Sequence, residues 1–256
     1  MIHHKPKVID LCCGAGGFSE GFHQAGFDII LGVDIWGDAL ESFKRNYNCD
    51  IIETDIKLLN EIPDADVVIG SPPCQSFSRM KNGRCNPDTS IIDHVLSLVQ
   101  DRPYVFENVW QSRHFFKTGN KARFYAQRFG VPQIRERLFV SSLSFQLFPE
   151  IHRTMESVLK GKILTTQSNT SGRGKRLPDG RRYKLMNEMC WTIDTGGSSL
   201  KLDDRLLTID EYKMLMGFPL NYELFGGKMK QIKQLGNAVC PPVSKAIAEG
   251  ILSDIS

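Results

Sequence analysis

Lys7-Val-Ile-Asp-Leu-Cys-Cys-Gly-Ala-Gly-Gly-Phe18 decides the fold. A short apolar run of the kind that forms a buried strand passes into a glycine-rich turn and then into a helical pattern over Gly17–Ala25. Glycines there let a ligand approach the backbone, and a helix amino terminus favours a carboxylate or phosphate. The same alternation repeats outward from this stretch. Strands are expected over Lys7–Cys12, Asp28–Asp34, Asp50–Glu53, Asp66–Gly70, Tyr104–Glu107 and Leu138–Ser142, with helices over Gly37–Asn46, Ser90–Gln100 and Lys121–Phe129. Strands alternating with helices predict a doubly wound α/β fold with a mostly parallel sheet, whose ligands bind beyond the carboxyl ends of the strands.

The polar residues at those strand ends fit a nucleotide-like cofactor. Asp34 closes the second strand, where an acid would hydrogen-bond a ribose hydroxyl, and Asp55 follows the third, where it could meet an adenine amine. These features do not separate a dinucleotide from S-adenosylmethionine (SAM). After about Phe148 the alternation stops. Gln167–Arg182 is rich in Ser, Gly, Asn and basic residues, and Trp191–Leu202 reads as short strand and turn. Helical pattern returns over Ile209–Met216 and Pro242–Leu252. The expected organisation is an α/β domain of residues 1–148 completed by 230–256, with a small irregular second domain over 149–229.

Composition excludes several classes. The 256 residues are 41% hydrophobic and 24% charged, without low-complexity tracts or repeats, so this is an ordinary folded chain. Apolar stretches such as Phe27–Val33 fall well short of the roughly 20 residues of a membrane helix, and the first residues do not resemble a signal peptide. An intracellular location is expected: cytoplasmic in a prokaryote, nuclear or in a viral factory otherwise. The seven cysteines contain no CxxC pair and no adjacent His at zinc spacing, which argues against metal and disulfides. The net charge of +3 is mild, but Lys160–Lys184 concentrates Lys162, Arg173, Lys175, Arg176, Arg181 and Arg182 against the single acid Asp179.

Gly70-Ser-Pro-Pro-Cys-Gln-Ser-Phe-Ser78 follows the fourth strand and presents Cys74 from a turn stiffened by two prolines. A nucleophilic cysteine needs such a setting, because a free thiol titrates near ~8.5. Alone, the segment could equally be an ordinary proline-rich turn. The next strand, however, ends in Glu107-Asn-Val109, and Gln133-Ile-Arg-Glu-Arg137 precedes the one after. Together these segments resemble the PCQ, ENV and QxRxR motifs of the cytosine-C5 DNA methyltransferase family. The glycine turn is similar to that family's first motif, Arg205–Glu211 with Met216-Gly-Phe-Pro219 to its ninth, and Gln234-Leu-Gly-Asn-Ala-Val239 to its tenth. All stand in the family's order, over about Lys7–Phe148 and Asp204–Gly250.

The resemblance implies a SAM-dependent enzyme acting on double-stranded DNA. Cys74 would add to carbon 6 of cytosine, Glu107 would protonate ring nitrogen N3, Arg137 would contact the base oxygen O2, and Arg135 would support the same site. Cofactor contacts would come from Ala15, Gly17, Asp34, Ile35, Asp55, Ile56, Pro73, Asn237, Ala238 and Val239. Because the chemistry cannot reach a stacked base, the target should be extruded from the duplex. Residues Ser78–Asp88, with Arg79, Lys81 and Arg84, would close over DNA as a mobile loop, and the basic run Arg173–Arg182 would meet phosphates. A monomer is expected, with a cognate restriction endonuclease as a genetic partner only. The base that removes the C5 proton is not evident.

Three departures from the family qualify these expectations. Cys12 and Ile35 stand where aromatic residues commonly face the adenine ring, which predicts weak cofactor binding. The recognition insert, about Pro149–Asp203, is short, so base readout would be limited to a short site. A branch of the family acts on tRNA, and the short insert keeps that reading open. A non-catalytic nucleic-acid-binding relative is the other alternative; intact Cys74, Glu107 and Arg137 argue against it.

Overall fold

The structure is a computed structural model and describes residues 5–73, 89–145, 151–166, 175–178, 181–195 and 200–255. Its main sheet has seven strands: β1 (Lys7–Leu11), β2 (Asp28–Asp34), β3 (Asp50–Glu53), β4 (Val67–Gly70), β5 (Tyr104–Asn108), β6 (Asn120–Tyr125) and β7 (Glu136–Ser141), in the order β3-β2-β1-β4-β5-β7-β6. The first five run parallel, and β7 inserts antiparallel between β5 and the edge strand β6. The mostly parallel α/β sheet expected from the sequence is present.

Central strands β4 and β5 are buried along their whole length, as required when helices cover both faces. Helices α1 (Gly17–Gln24), α2 (Gly37–Asn46) and α3 (Ser90–Val99) lie in the first half of the chain, and α4 (Ile209–Met216), α5 (Lys228–Asn237) and α6 (Pro241–Ile255) near its end. One core gathers Phe18, Phe22, Phe43 and Phe139 with Val243, Ile247 and Ile251 of α6. The other gathers Phe106, Leu138 and Val140 with Val95 and Leu98 of α3. Each such side chain contributes about 1.5–3 kcal/mol by leaving water. Helix α1 approaches α6 closely because Gly21 has no side chain: a Cβ there would strike Ser244 and the Lys245 backbone.

The helix expected over Lys121–Phe129 does not form. Residues Asn120–Tyr125 are strand β6, and only Ala126–Arg128 makes one 3-10 turn. The decisive feature is a period of two: Ala122 and Phe124 turn inward, the Phe124 ring lying 5.2 Å from Phe139, while Lys121 and Arg123 face solvent. Conversely, α5 was not anticipated in a segment that begins after two glycines and carries Gly236 within it.

The irregular middle segment contains a second, antiparallel sheet. Strands β8 (Ile163–Thr166), β9 (Lys175–Arg176), β10 (Arg182–Leu185), β11 (Leu200–Leu202) and β12 (Arg205–Leu206) are ordered β12-β11-β8-β10-β9. Helix α4 follows with a capping box: Glu211 N–H donates to the Thr208 hydroxyl at 3.2 Å, and Thr208 N–H to the Glu211 carboxylate at 2.8 Å. Arg205 grips the same carboxylate with two nitrogens, at 2.8 and 2.5 Å. No helix among the described residues is long and apolar enough to cross a membrane, and they contain no group of three or more His, Cys, Asp or Glu that could hold a metal ion.

Candidate active site

A cavity of about 390 Å³ opens at the carboxyl ends of β1, β2, β4 and β5. Its first wall is the turn after β1, where Cys12, Gly14 and Gly16 all adopt positive φ. Asp34, at the end of β2, holds that turn: one carboxylate oxygen accepts from Gly14 N–H at 2.7 Å and the other from Trp36 N–H at 2.9 Å. Burial pushes the Asp34 carboxyl up, against these backbone bonds that pull it down. Asp55 caps the 3-10 turn Ile56–Leu58 by accepting from Lys57 N–H at 3.0 Å.

Nine of the ten residues expected to contact cofactor line this cavity: Ala15, Asp34, Ile35, Asp55, Ile56, Pro73, Asn237, Ala238 and Val239. Gly17 does not. A Cβ at Gly17 would collide with the Val239 carbonyl oxygen and the Phe218 ring, so this glycine makes room for the chain's last segment rather than for a ligand. Two residues that the sequence did not single out also line the cavity. Trp36 is fixed by Asp38, which accepts from its indole N–H at 3.2 Å, and by the Lys233 ammonium 4.6 Å from its ring centre. Ile35, on the cavity wall beside Trp36, is 67% exposed.

Glu107 closes the inner end. Its carboxylate is buried and receives Arg137 Nε at 2.8 Å. Burial pushes the Glu107 carboxyl up; Arg137, Arg135 and the Ser71 hydroxyl oppose that shift without cancelling it. Glu107 lines the large cavity, whereas Arg137 lines a smaller recess beside it with Phe124, Arg135 and Cys240. The ion pair is therefore the seam between the two, and Val239 is common to both walls.

Arg135 is spent on the backbone. Its guanidinium donates to the carbonyls of Ile193 (3.0 Å), Gly236 (2.9 Å) and Ala238 (2.7 Å), tying β7 to the segment that supplies Asn237–Val239. Gln133 does similar work. It donates to the Leu215 carbonyl at 3.2 Å and accepts from Ile193 N–H at 3.1 Å. Asn108 donates to the Pro72 carbonyl at 3.0 Å, fixing the entry to the Pro-Pro-Cys turn. Sequence reasoning quoted Gln133 and Asn108 inside motifs but gave neither a task.

Cys74, Arg79, Lys81, Arg84 and Arg173, together with the loop expected over Ser78–Asp88, lie outside the described residues. The described cysteines behave as inert thiols. Burial pushes Cys12, Cys13 and Cys240 up, Cys49 to about 11 and Cys190 to about 12. On the second sheet Lys175 and Arg176 are exposed, and Arg181 is half-buried against Asp204 at 3.1 Å. Arg182, expected to bind nucleic acid, is only 4% exposed and cannot meet a phosphate from that position.

This strand order and the cavity beyond the strand ends define a fold of the Rossmann-like α/β class. A profile of the family described as C-5 cytosine-specific DNA methylase matches residues 6–115 and 142–253, and the chain belongs to that family. Its members generally use SAM. Among its relatives, the type II methyltransferase M.AplI of Arthrospira platensis is 30% identical over 98% of this chain and 86% of that protein. The type II methyltransferase M.HgiDI of Herpetosiphon aurantiacus is 29% identical over 94% and 91%. In fold, the chain matches the crystal structure of a candidate DNA modification methyltransferase encoded within an E. coli prophage, with a TM-score of 0.74 at 20% identity, covering 97% of this chain and 99% of that one.

Proposed function

We propose that this enzyme methylates carbon 5 of cytosine in duplex DNA through covalent addition of Cys74 to carbon 6 of an extruded base. The observation that carries the reading is the Glu107–Arg137 pair, buried where the two recesses meet and one strand from the turn leading to Cys74. The large cavity fits SAM: its volume is within the ~300–1,000 Å³ of small-molecule sites, and it offers the acids Asp34 and Asp55 for ribose and adenine. When bound, SAM supplies the methyl group on a sulfonium.

Carbon 5 of cytosine is a poor nucleophile until the ring loses aromaticity. The Cys74 thiolate forms the bond to carbon 6, and the displaced electrons move toward N3, where a protonated Glu107 donates its proton. Burial raises this carboxyl, which favours the protonated, donating form over an ordinary carboxylate. Arg137, fixed by Glu107, then faces the recess with its remaining N–H groups, available to the base oxygen O2. Carbon 5 takes the methyl group and loses its proton to a base, the ring expels Cys74, and N3 returns its proton to Glu107. Arg135 acts through the backbone, by holding Gly236 and Ala238 in place.

Lys175, Arg176 and Arg181 would meet phosphates from the second sheet. The type II relatives support a place in restriction and modification; an endonuclease would then be a genetic partner only, and a monomer suffices for an enzyme that surrounds one base. The test is trapping on duplex DNA containing 5-fluorocytosine, whose fluorine cannot leave as a proton does. A denaturation-resistant adduct that requires SAM and disappears in Cys74→Ser is expected. Trapping on fluorinated RNA alone would move the substrate to tRNA, and no adduct on either, with SAM still bound, would overturn the mechanism.

A further inference from the structure

From Asn108 to Arg135 the chain carries six Lys and Arg and not one Asp or Glu, although the whole protein is nearly balanced at 32 against 29. Arg135 is buried, but the other five lie on the 3-10 turn Trp110–His114, on β6 and on their flanks. Positive charge on an edge strand is in itself unremarkable, since it deters pairing with another sheet. The aromatic framework around it needs a different explanation.

The guanidinium of Arg113 lies 5.0 Å from the Trp110 ring centre, and that of Arg123 lies 5.1 Å from the same ring and 5.2 Å from Tyr125. Trp110 is thus clasped by arginines from two separate elements. Arg113 also donates to the Trp110 carbonyl at 3.2 Å, and Arg123 to Glu136 at 2.5 Å. A guanidinium that stacks by its face keeps N–H groups at its rim, in the planar fork that suits phosphate oxygens. The Arg123 side chain is 42% exposed despite its ion pair.

Position points the same way. Asn108 pairs with Leu138, and Leu138 with Arg123, so one register row crosses from the catalytic strand to this cluster. Two strand spacings make that about 10 Å. Strand β6 runs parallel to β5, which places Arg123–Tyr125 at the same end of the sheet as Glu107.

We propose that Trp110, Arg113, Arg123 and Tyr125 form a docking platform for the sugar-phosphate backbone beside the extruded base. This is a nucleic-acid contact made by the main sheet itself, independent of the basic second sheet, and it rests on the proposed function.

The test is the salt dependence of binding to a fluorescently labelled duplex of randomised sequence, with S-adenosylhomocysteine affinity measured on the same preparations. For Arg113→Gln/Arg123→Gln the platform requires a Kd raised about 10-fold and a slope of log K against log salt shallower by about 1.8, two lost phosphate contacts, at unchanged S-adenosylhomocysteine affinity. If the double variant no longer binds S-adenosylhomocysteine, Arg113→Gln, which breaks no ion pair, carries the test with half that change in slope. Wild-type slope and Kd in a correctly folded variant overturn the platform. If wild-type protein is trapped on 5-fluorocytosine DNA while the variants bind as wild type does, the platform alone fails; if wild type shows no salt-dependent affinity for duplex, both readings fail.

Discussion

The side-chain amide of Asn108 donates to the Pro72 carbonyl at 3.0 Å while its own oxygen accepts from Val109 N–H at 2.8 Å. One buried side chain thus couples the end of β5, which carries Glu107, to the turn that carries Cys74 two residues on. In the proposed mechanism this joins the strand end of the acid to the Pro72 entry of the nucleophile's turn, through a residue that lines neither cavity.

Asn108→Ala should therefore damage catalysis more than cofactor binding. Leaving the Pro72 carbonyl unpaired costs about 1–3 kcal/mol of stability, and a misplaced thiol costs on the order of 100-fold in rate. Single-turnover methylation beside calorimetric titration of SAM separates the two. A wild-type rate in this variant would refute the coupling.

Glu107→Gln should retain SAM and lose about 10²- to 10⁴-fold in kcat, the usual worth of a positioned acid. Burial raises this carboxyl, so its proton persists above the ordinary carboxylate range. Wild-type activity should fall as pH rises through that raised value. In the residual activity of the glutamine variant, which cannot titrate, this alkaline limb should be missing.

Cofactor affinity should be weak, with a SAM dissociation constant in the micromolar range or above, because neither Ile35 nor Cys12 offers the cavity an aromatic ring. Trp36 supplies an aromatic wall but is engaged by Lys233. Ile35→Trp should tighten binding about 2- to 10-fold, the worth of one aromatic contact. A submicromolar wild-type constant in calorimetry would contradict this.

Asp10 should make the protein less stable at high pH. It is fully buried, accepts from the Ser19 hydroxyl at 2.7 Å, has no partner for its other oxygen, and is raised to about 7 by burial, with Asp34 adding to the shift. An acid with a raised folded pKa stabilises fully below its unfolded value, near ~3.9, and loses that stability as pH rises through the folded one. Asp10→Asn should gain on wild type between about pH 4 and pH 8, by up to about 4 kcal/mol. Urea midpoints that differ equally at both ends would rule this out.

The parallel strands were legible because each is an apolar run ending in a glycine or an acid, as Lys7–Gly14 and Asp28–Asp34 show. The Glu107–Arg137 pair joins two segments that were legible as motifs. Strand β6 was not, because Lys121–Phe129 mixes a two-residue period with a terminal turn whose apolar residues imitate a helix. The duties of Arg135 and Gln133 were hidden for another reason. Their partners are carbonyls 58 to 103 positions away, and a carbonyl leaves no mark on residue identity. Gly17 misled because a glycine that admits a ligand and one that admits another stretch of chain look alike in sequence.

That close approach of Gly17 to Val239 has a counterpart at Tyr222, whose hydroxyl reaches back 207 positions to the Ala15 carbonyl at 2.5 Å. The wall that the first turn begins is finished only by Asn237, Ala238 and Val239, far along the chain. A nascent chain still tethered at Gln234 can already possess β1 through β7, yet it lacks two of the three carbonyls that Arg135 grips and one side of the cofactor cavity. Synthesis itself thereby delays the enzyme's competence: an unfinished copy cannot mark a genome.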